Sequence, residues 1–413
     1  MTASAERRAV GLAPDGTARL LAGVRPDNRP ITFAEHLAAY GRLDTVGHGL
    51  IDLLEASGLR GRGGGGFPTG QKLAAVASVR GRPVVVVNAT EGEPASSKDR
   101  ALLRTSPHLV LDGAAAVAAA IGARDVVIAL GRHAKTQRAV VTAALRERRD
   151  PVAWQVAGIV DGFVAGEETA VLNALAGKPA KPSVKPPYPY ERGLGGAPTL
   201  VQNVETLAHV ALIARFGAQW FRSCGTEAEP GTALVTVSGA VARPGVYEIE
   251  LGTQLSGLLT EAGGASEQLS AVLVGGFFGG WTRDPEHELT SAAGLGAGVV
   301  VAFPRAACGL REGARVARYL ADESAGQCGP CVHGLNALAS GLEDIARGRG
   351  PDDRVRLARW AQEVAGRGAC HHPDGAARFV QSTLTTFEDE VRLHLESGRC
   401  SGSDRIVLPV EHR

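Results

Sequence analysis

Two of the chain's six cysteines stand in ESAGQCGPCVHG (323–334) as Cys328 and Cys331, a C-x-x-C pair with Gly-Pro between them. That spacing serves a redox dithiol, half of a zinc site, or part of an iron–sulfur site. A third cysteine, Cys370, follows in GACHHPDG beside His371 and His372. The second constellation is a glycine run, RGRGGGGFPTG (60–70), in which Gly61, Gly63 and Gly66 satisfy G-x-G-x-x-G. Glycines let backbone N–H groups approach phosphate oxygens, and Arg60, Arg62 and Lys72 add positive charge, so an anion is the expected ligand. Three polar clusters complete the set. Asn88, Glu91 and Glu93 lie in NATEGEP, Glu167 and Glu168 in GEETA (166–170), and Gln202 and Asn203 in QNVET (202–206). Together with the glycines they point to a sizeable polar ligand. No nucleophile–base pairing signals hydrolysis.

These residues need a scaffold. PVVVVNATEGEP (83–94) is an unbroken apolar run ending in polar residues, which predicts a buried strand that delivers Asn88 and Glu91 at its carboxyl end. Helix LVLDGAAAVAAAIGA (109–123), strand DVVIAL (125–130) and helix HAKTQRAVVTAALRER (133–148) continue a βαβα rhythm and imply a mostly parallel sheet. GHGLIDLLEASGL (47–59) is helical by its leucine spacing and precedes the glycine run. A dinucleotide fingerprint requires a strand there, so the standard Rossmann motif is not expected. The helix after the run offers its N-terminus to the anion. GEETA and QNVET both read as helix starts. KPAKPSVKPPYPYERGLGGAP (178–198) is a Pro/Gly-rich crossing loop or ligand-facing arm. A small α+β unit spans about 231–303, with a turn at Pro244–Gly245. From Arg311 onward the pattern predicts four helices, the last running unbroken through ARFVQSTLTTFEDEVRLHLES (377–397), and hence a helical bundle. His108 and His133 read as surface or cap residues and Cys224 as incidental.

The chain has 413 residues, enough for two or three domains. A formal net charge of +1 offers no field for nucleic acid. Neither a secretory signal nor an 18-residue apolar run is present, which predicts a cytoplasmic protein with reduced cysteines and no membrane insertion.

GLRGRGGGGFPTGQK, NATEGEP, GEETA, KPPYP, QNVET, SGAVARPGVYE and ESAGQCGPC occur in that order over nearly the whole chain. In these motifs the sequence resembles the NADH-binding flavoprotein subunit of respiratory complex I and related subunits of NAD-linked hydrogenases and formate dehydrogenases. The resemblance implies a multidomain α/β protein: a Rossmann-like FMN-binding domain (1–230), a ubiquitin-like β-grasp, SLBB-like domain (231–303) and a C-terminal helical bundle (304–413) holding a [4Fe–4S] cluster. It also implies an NAD(P)H dehydrogenase in which NADH gives a hydride to FMN. Single electrons then pass to the cluster and on to an iron–sulfur carrier such as a ferredoxin or to other oxidoreductase subunits. Carried over by position, Gly61, Arg62, Gly63 and Lys72 would meet FMN, with polar contacts from Asn88, Glu91, Gly166, Glu167, Gln202 and Asn203. NADH would neighbour Phe67, Lys72, Glu93, Glu168, Lys185 and Tyr188, with Glu93 and Glu168 as the catalytic candidates.

The chain departs from the family pattern. Thr90 stands for a common Asp, Gln202 for Asn, and Leu73, Ala74 and Ala75 for aromatics, each lost ring costing roughly 0.5–1.5 kcal/mol of stacking. Ala325 occupies the first cluster-ligand position, while Cys328, Cys331 and Cys370 match the other three. The expected cluster is therefore a [4Fe–4S] with a non-standard fourth ligand, from Cys308, Cys400, His371, His372 or solvent, or a [3Fe–4S]. A zinc site with His371 or His372, a dithiol, and cysteines kept only for packing are the rivals. A cluster-free diaphorase and a non-catalytic scaffold subunit are the alternative functions.

Overall fold

The computed structural model describes residues 9–11, 19–43, 47–349 and 354–410. In chain order the elements are β1 (Ala9–Gly11), α1 (Phe33–Tyr40), α2 (Gly49–Ser57), α3 (Thr69–Ala77), β2 (Val84–Ala89), α4 (Lys98–Thr105), α5 (Pro107–Ile121), β3 (Asp125–Gly131), α6 (Lys135–Arg146), β4 (Ala153–Ile159), α7 (Glu168–Leu175), β5 (Thr199–Asn203) and α8 (Val204–Phe221). There follow β6 (Thr232–Gly239), β7 (Gly245–Glu250), α9 (Leu255–Glu261), β8 (Leu269–Val274), β9 (Gly280–Thr282), β10 (Val299–Pro304), α10 (Gly309–Asp322), α11 (Asn336–Ala346), α12 (Arg354–Val364), α13 (His372–Thr386) and α14 (Glu388–Ser397).

The first sheet is parallel throughout, in the order β4-β3-β2-β5. The valine run of β2 makes it a central strand because both of its faces are covered. Val85 and Val87 enter the core under α5 and α8, and Val86 packs with Val171 and Leu172 of α7 on the other side. The register pairs Val87 with Gln202 and Asn88 with Asn203, so the polar ends of β2 and β5 lie side by side. A β-carbon on Gly113 of α5 would overlap the Leu207 carbonyl oxygen of α8, so glycine lets these two helices touch backbone to backbone. Asp112, one residue earlier, is buried in an ion-pair network with His36, Arg148 and Arg215. Burial alone would raise its pKa, but the His36 hydrogen bond and the two guanidinium charges outweigh it and hold the carboxyl well below the usual range.

The second sheet is mixed, in the order β1-β7-β6-β10-β8-β9. Leu273, Val299, Val301 and Phe303 face the C-terminal helices. Val272, Val274, Val300 and Ala302 face Leu255 and Leu258 of α9. The N-terminal strand joins this sheet, with Ala9 opposite Gly245 in a parallel pair, although it precedes the first sheet in sequence. Nearby, the backbone amides of Arg19, Leu20 and Leu21 all donate to the buried Glu248 carboxylate.

Two local expectations, on the last helix and on His108, are corrected, and the segment after NATEGEP adds a buried pair. The final helix is broken at Phe387, where a fully buried ring ends α13 and α14 begins. His108 is fully buried, beside Phe33 and His36, while His133 is exposed as expected and bonded to Asp161. The run after NATEGEP, SSKDR, enters helix α4 with Lys98 and Asp99 buried. Among the described residues no helix is long and apolar enough to cross a membrane.

Candidate functional site

The glycine loop crosses the carboxyl edge of the first sheet. Gly61 N–H donates to the Phe67 carbonyl (2.9 Å), and the Arg62 N–H donates to Thr206 Oγ1 (2.8 Å) in the first turn of α8. A β-carbon on Gly63 would press on the Asn203 side chain, at 3.2 Å. Around Gly65 and Gly66 nothing approaches within 4 Å of where a β-carbon would lie, and Gly66 has φ +59°. The loop therefore presents open backbone beside the N-termini of α3 and α8. The Arg62 side chain is enclosed rather than exposed. It lies near Glu205 and Glu229, with Nε and Nη2 unpartnered, and burial depresses its pKa.

Asn88 and Asn203 hold the strand ends in shape. Asn88 Nδ2 donates to the Gly166 carbonyl (2.8 Å), and Thr90, through N–H and Oγ1, donates to Asn88 Oδ1. Thr90 thus fixes the amide orientation of its neighbour. Asn203 Oδ1 caps α8 by accepting from Glu205 and Thr206 N–H, and its Nδ2 donates to Asp99 Oδ2 (2.6 Å). Beneath it Lys98 Nζ lies 2.8 Å from both Asp99 and Glu205, a buried triad the sequence did not reveal. Gln202 is buried and its Nε2 has no partner, a donor left over at the mouth of the sheet. An orphaned amide donor next to an open glycine cradle fits a polar, phosphate-bearing ligand such as FMN.

The two acidic loops play different parts. Glu91 accepts from Ser96 Oγ and from the Asp99 and Arg100 N–H groups, and it pairs with the Arg100 guanidinium, so it anchors the start of α4. Glu93 accepts from Ala95 N–H (3.1 Å) and Phe277 N–H (2.8 Å) and thereby ties the end of β2 to the turn after β8. Burial, aided by the Glu91 charge, pushes the Glu93 carboxyl up to about 7. Glu167 caps α7 by accepting from Thr169 and Ala170 N–H. Lys185 Nζ donates to Glu167 (3.2 Å) and Glu168 (2.7 Å), and Lys72 Nζ donates to Glu168 (3.0 Å). Glu168 is thus clamped between two ammonium groups. Phe67 is 56% exposed and Tyr188 43%, the latter stacked on Tyr190 at 5.5 Å, so both rims carry free aromatic surface.

Cys328, Cys331 and Cys370 meet beyond the C-terminal end of α10. Cys331 is buried, and its pKa is pushed up to about 12 by burial and by its neighbours Cys328 and Cys370. For Cys328, burial is outweighed by hydrogen bonds from the Ala369 and Cys331 amides, and its pKa falls. The Cys370 pKa is raised by burial, and Glu167 is among the charges acting on it, so the thiols adjoin the acidic loop of the first sheet. Phe163 of that loop packs against His372, and its N–H donates to Glu323. Mutually interacting thiols, one buried and two half-buried, fit a cluster with three cysteine ligands. Ala325, 5% exposed, brings no fourth. Of the residues expected to complete the set, His371 lies in solvent paired with Asp374. Cys308 and Cys400 are excluded by position: Cys308 caps the opposite end of the 14-residue α10, about 20 Å away. His372 is buried and its Nε2 lies 2.7 Å from the Leu320 carbonyl. That nitrogen therefore carries the proton, leaving Nδ1 as an unpartnered acceptor.

Comparison with known proteins covers the same regions. Residues 54–212 match the Nuo51 FMN-binding domain, residues 312–394 the NADH-ubiquinone oxidoreductase-F iron-sulfur binding region, and residues 234–276 the SLBB domain. An NADH-quinone oxidoreductase subunit (F 2) of Rhizobium meliloti (strain 1021) is 35% identical over 377 residues, spanning 85% of this chain and 90% of that one. The corresponding NADH-quinone oxidoreductase subunit (F) of Streptomyces coelicolor is 36% identical over 377 residues, spanning 85% and 84%. The crystal structure of an NAD+-reducing [NiFe]-hydrogenase in the H2-reduced state superimposes with a TM-score of 0.79 at 33% identity, over 84% of this chain and 63% of that one.

Proposed function

This chain belongs to the family of FMN-binding, NADH-oxidising subunits of NADH-quinone oxidoreductases, and on that premise we propose that it takes electrons from NADH and passes them to an iron–sulfur partner. Like them it carries an iron–sulfur binding region beside the flavin domain. The observation that carries the reading is the open glycine loop beside Asn88 and the orphaned Gln202 amide at the carboxyl edge of a parallel sheet. FMN held there supplies hydride acceptance and one-electron release. The loop amides and the N-termini of α3 and α8 bind its phosphate. Gln202 and Asn88 meet its polar edge. Phe67, Tyr188, Lys72 and Lys185 orient the dinucleotide, Glu168 fixes both lysines, and Glu93 holds a proton near neutral pH.

The chain divides into a flavin unit up to residue 230, a β-grasp unit (231–303) and a helical bundle (from 304), with β1 contributed to the second. Cys328, Cys331 and Cys370 hold the cluster, as [4Fe–4S] or [3Fe–4S], and His372 Nδ1 is the fourth ligand best supported by its hydrogen bonding. The partner is an iron–sulfur carrier or another oxidoreductase subunit, in the cytoplasm. Ala325 favours a second reading, a cluster-free diaphorase that reduces small acceptors.

Anaerobic purification should yield a yellow protein that NADH bleaches. A chain that stays colourless after reconstitution with FMN overturns the proposal. Loss of electron transfer to a ferredoxin in Cys331→Ala, with flavin retained, separates the first reading from the second.

A further inference from the structure

At the far end of α10 lies a cluster of side chains that the flavin and iron–sulfur regions do not use. Among the described residues, Cys308, His394 and Cys400 bring one ligand atom each to within 4.8 Å of one another. Cys308 and His394 are buried and Cys400 is half-buried. Cys308 is the N-cap of α10, and its Sγ accepts the Arg311 N–H at 3.4 Å. His394 lies in the last turn of α14 with Nε2 3.4 Å from Cys308 Sγ. Glu390, four residues earlier on the same helix face, has Oε2 3.3 Å from Cys308 Sγ and also accepts the Leu310 N–H. Cys400 Sγ accepts from Gly402 N–H (3.3 Å).

We infer that Cys308, His394 and Cys400 form a mononuclear zinc site, with Glu390 or water as the fourth ligand, which braces the C-terminal segment against α10. Tetrahedral zinc bonds of about 2.3 Å to sulfur and about 2.0–2.1 Å to nitrogen or oxygen set ligand edges of about 3.5 Å between S and N or O. The observed spacings of 3.4 and 3.3 Å match those edges. Two thiolates and an imidazole select zinc over hard cations such as Mg²⁺ or Ca²⁺. On binding, the two thiols release their protons to solvent, and two thiolates neutralise the dication. The site is also separate from the cluster, because Cys308 caps the end of the 14-residue α10 remote from Cys328 and Cys331. What it would hold is visible in the chain that follows. Arg315 donates to the Leu408 and Val410 carbonyls, and Glu312 accepts from Val407 and Leu408 N–H. A cation joining Cys400 to Cys308 and His394 closes that segment at its other end.

The test is metal analysis of the full chain with its flavin. The wild type should carry about one zinc per chain, with zinc X-ray absorption reporting two sulfur ligands. Cys308→Ser and Cys400→Ser should each lose the zinc while keeping flavin and acid-labile sulfide. His394→Gln should bind zinc at least tenfold more weakly in chelator competition. Cys331→Ala should keep the zinc and lose the sulfide. The proposal is overturned by a wild type free of zinc after growth with zinc, by zinc retained in both serine variants, or by a Cys308–Cys400 disulfide in peptide mapping.

Discussion

Lys72 Nζ lies 3.0 Å from Glu168 Oε2, and this ion pair joins the helix that follows the glycine loop to the helix that follows the second acidic loop. The pair is partly exposed, so it contributes little to stability, on the order of 0–1 kcal/mol. Its value is positional. Lys72→Met should therefore leave the melting temperature nearly unchanged while weakening flavin or NADH binding about tenfold, a loss of roughly 1.4 kcal/mol. Flavin titration and the KM for NADH measure this. Although burial opposes it, the Lys72 and Lys185 charges lower the Glu168 pKa, so the pair is intact through neutral pH and is lost only as pH falls below the ordinary carboxylate range.

Glu93 runs the other way. Its carboxyl is raised to about 7, so the folded state is penalised as this group ionises. The raised carboxyl contributes fully below its unfolded pKa of about 4.5, and the contribution disappears as pH climbs through 7. A shift of that size corresponds to something on the order of 3 kcal/mol. Glu93→Gln should gain stability relative to wild type at pH 8 and not at pH 4, read by thermal melts. It should also remove an ionisation near neutrality from the pH profile of NADH oxidation. An unchanged profile would count against a proton-holding role.

Gly113→Ala tests how the site is supported from behind. The added methyl group meets the Leu207 carbonyl oxygen, backbone that has nowhere to move without shifting α8. Overpacking of this kind costs about 1–3 kcal/mol or more. Because α8 begins at the Asn203 cap, flavin affinity should fall together with the melting temperature. The neighbouring half-buried site, Ala116→Gly, serves as control for helix propensity.

Ala325 predicts the state of the cluster. Ala325→Cys should supply the fourth thiolate and raise iron per chain, with an EPR signal moving toward that of a reduced four-iron cluster. His372→Ala in the wild-type background should shift the same signal toward a three-iron form. If His372→Ala leaves iron content and spectrum unchanged, the imidazole is not a ligand.

How much of this could be read from the residues depends on how local each signal is. The valine run before Asn88 betrays a strand buried on both faces, because a strand covered on both sides needs apolar side chains at successive positions. The glycine run, the helix starts at Glu167 and Asn203, and the C-x-x-C pair are all contained in short windows. By contrast SSKDR looks like a solvated loop, and its burial follows from Glu205, more than a hundred residues away, which compensates Lys98. Arg62 reads as a phosphate contact from its place in the loop; what the loop does not reveal is that Thr206, far along the chain, accepts its backbone N–H and that its side chain is buried. Cys308, His394 and Cys400 share no spacing rule, and α10, α14 and the C-terminal segment bring them together only after folding. The break at Phe387 is equally non-local, since the ring is claimed by Trp281 and Phe303 of the second sheet.

The parallel pairing of Ala9–Gly11 with Gly245–Tyr247 imposes an order on synthesis. The first strand leaves the ribosome long before its neighbour exists, and closing so long a loop is entropically unfavourable. Residues 9–11 therefore find their strand partner only after the flavin unit has been made and the second sheet emerges. Deleting residues 9–11 would remove that last step while leaving the earlier ones untouched.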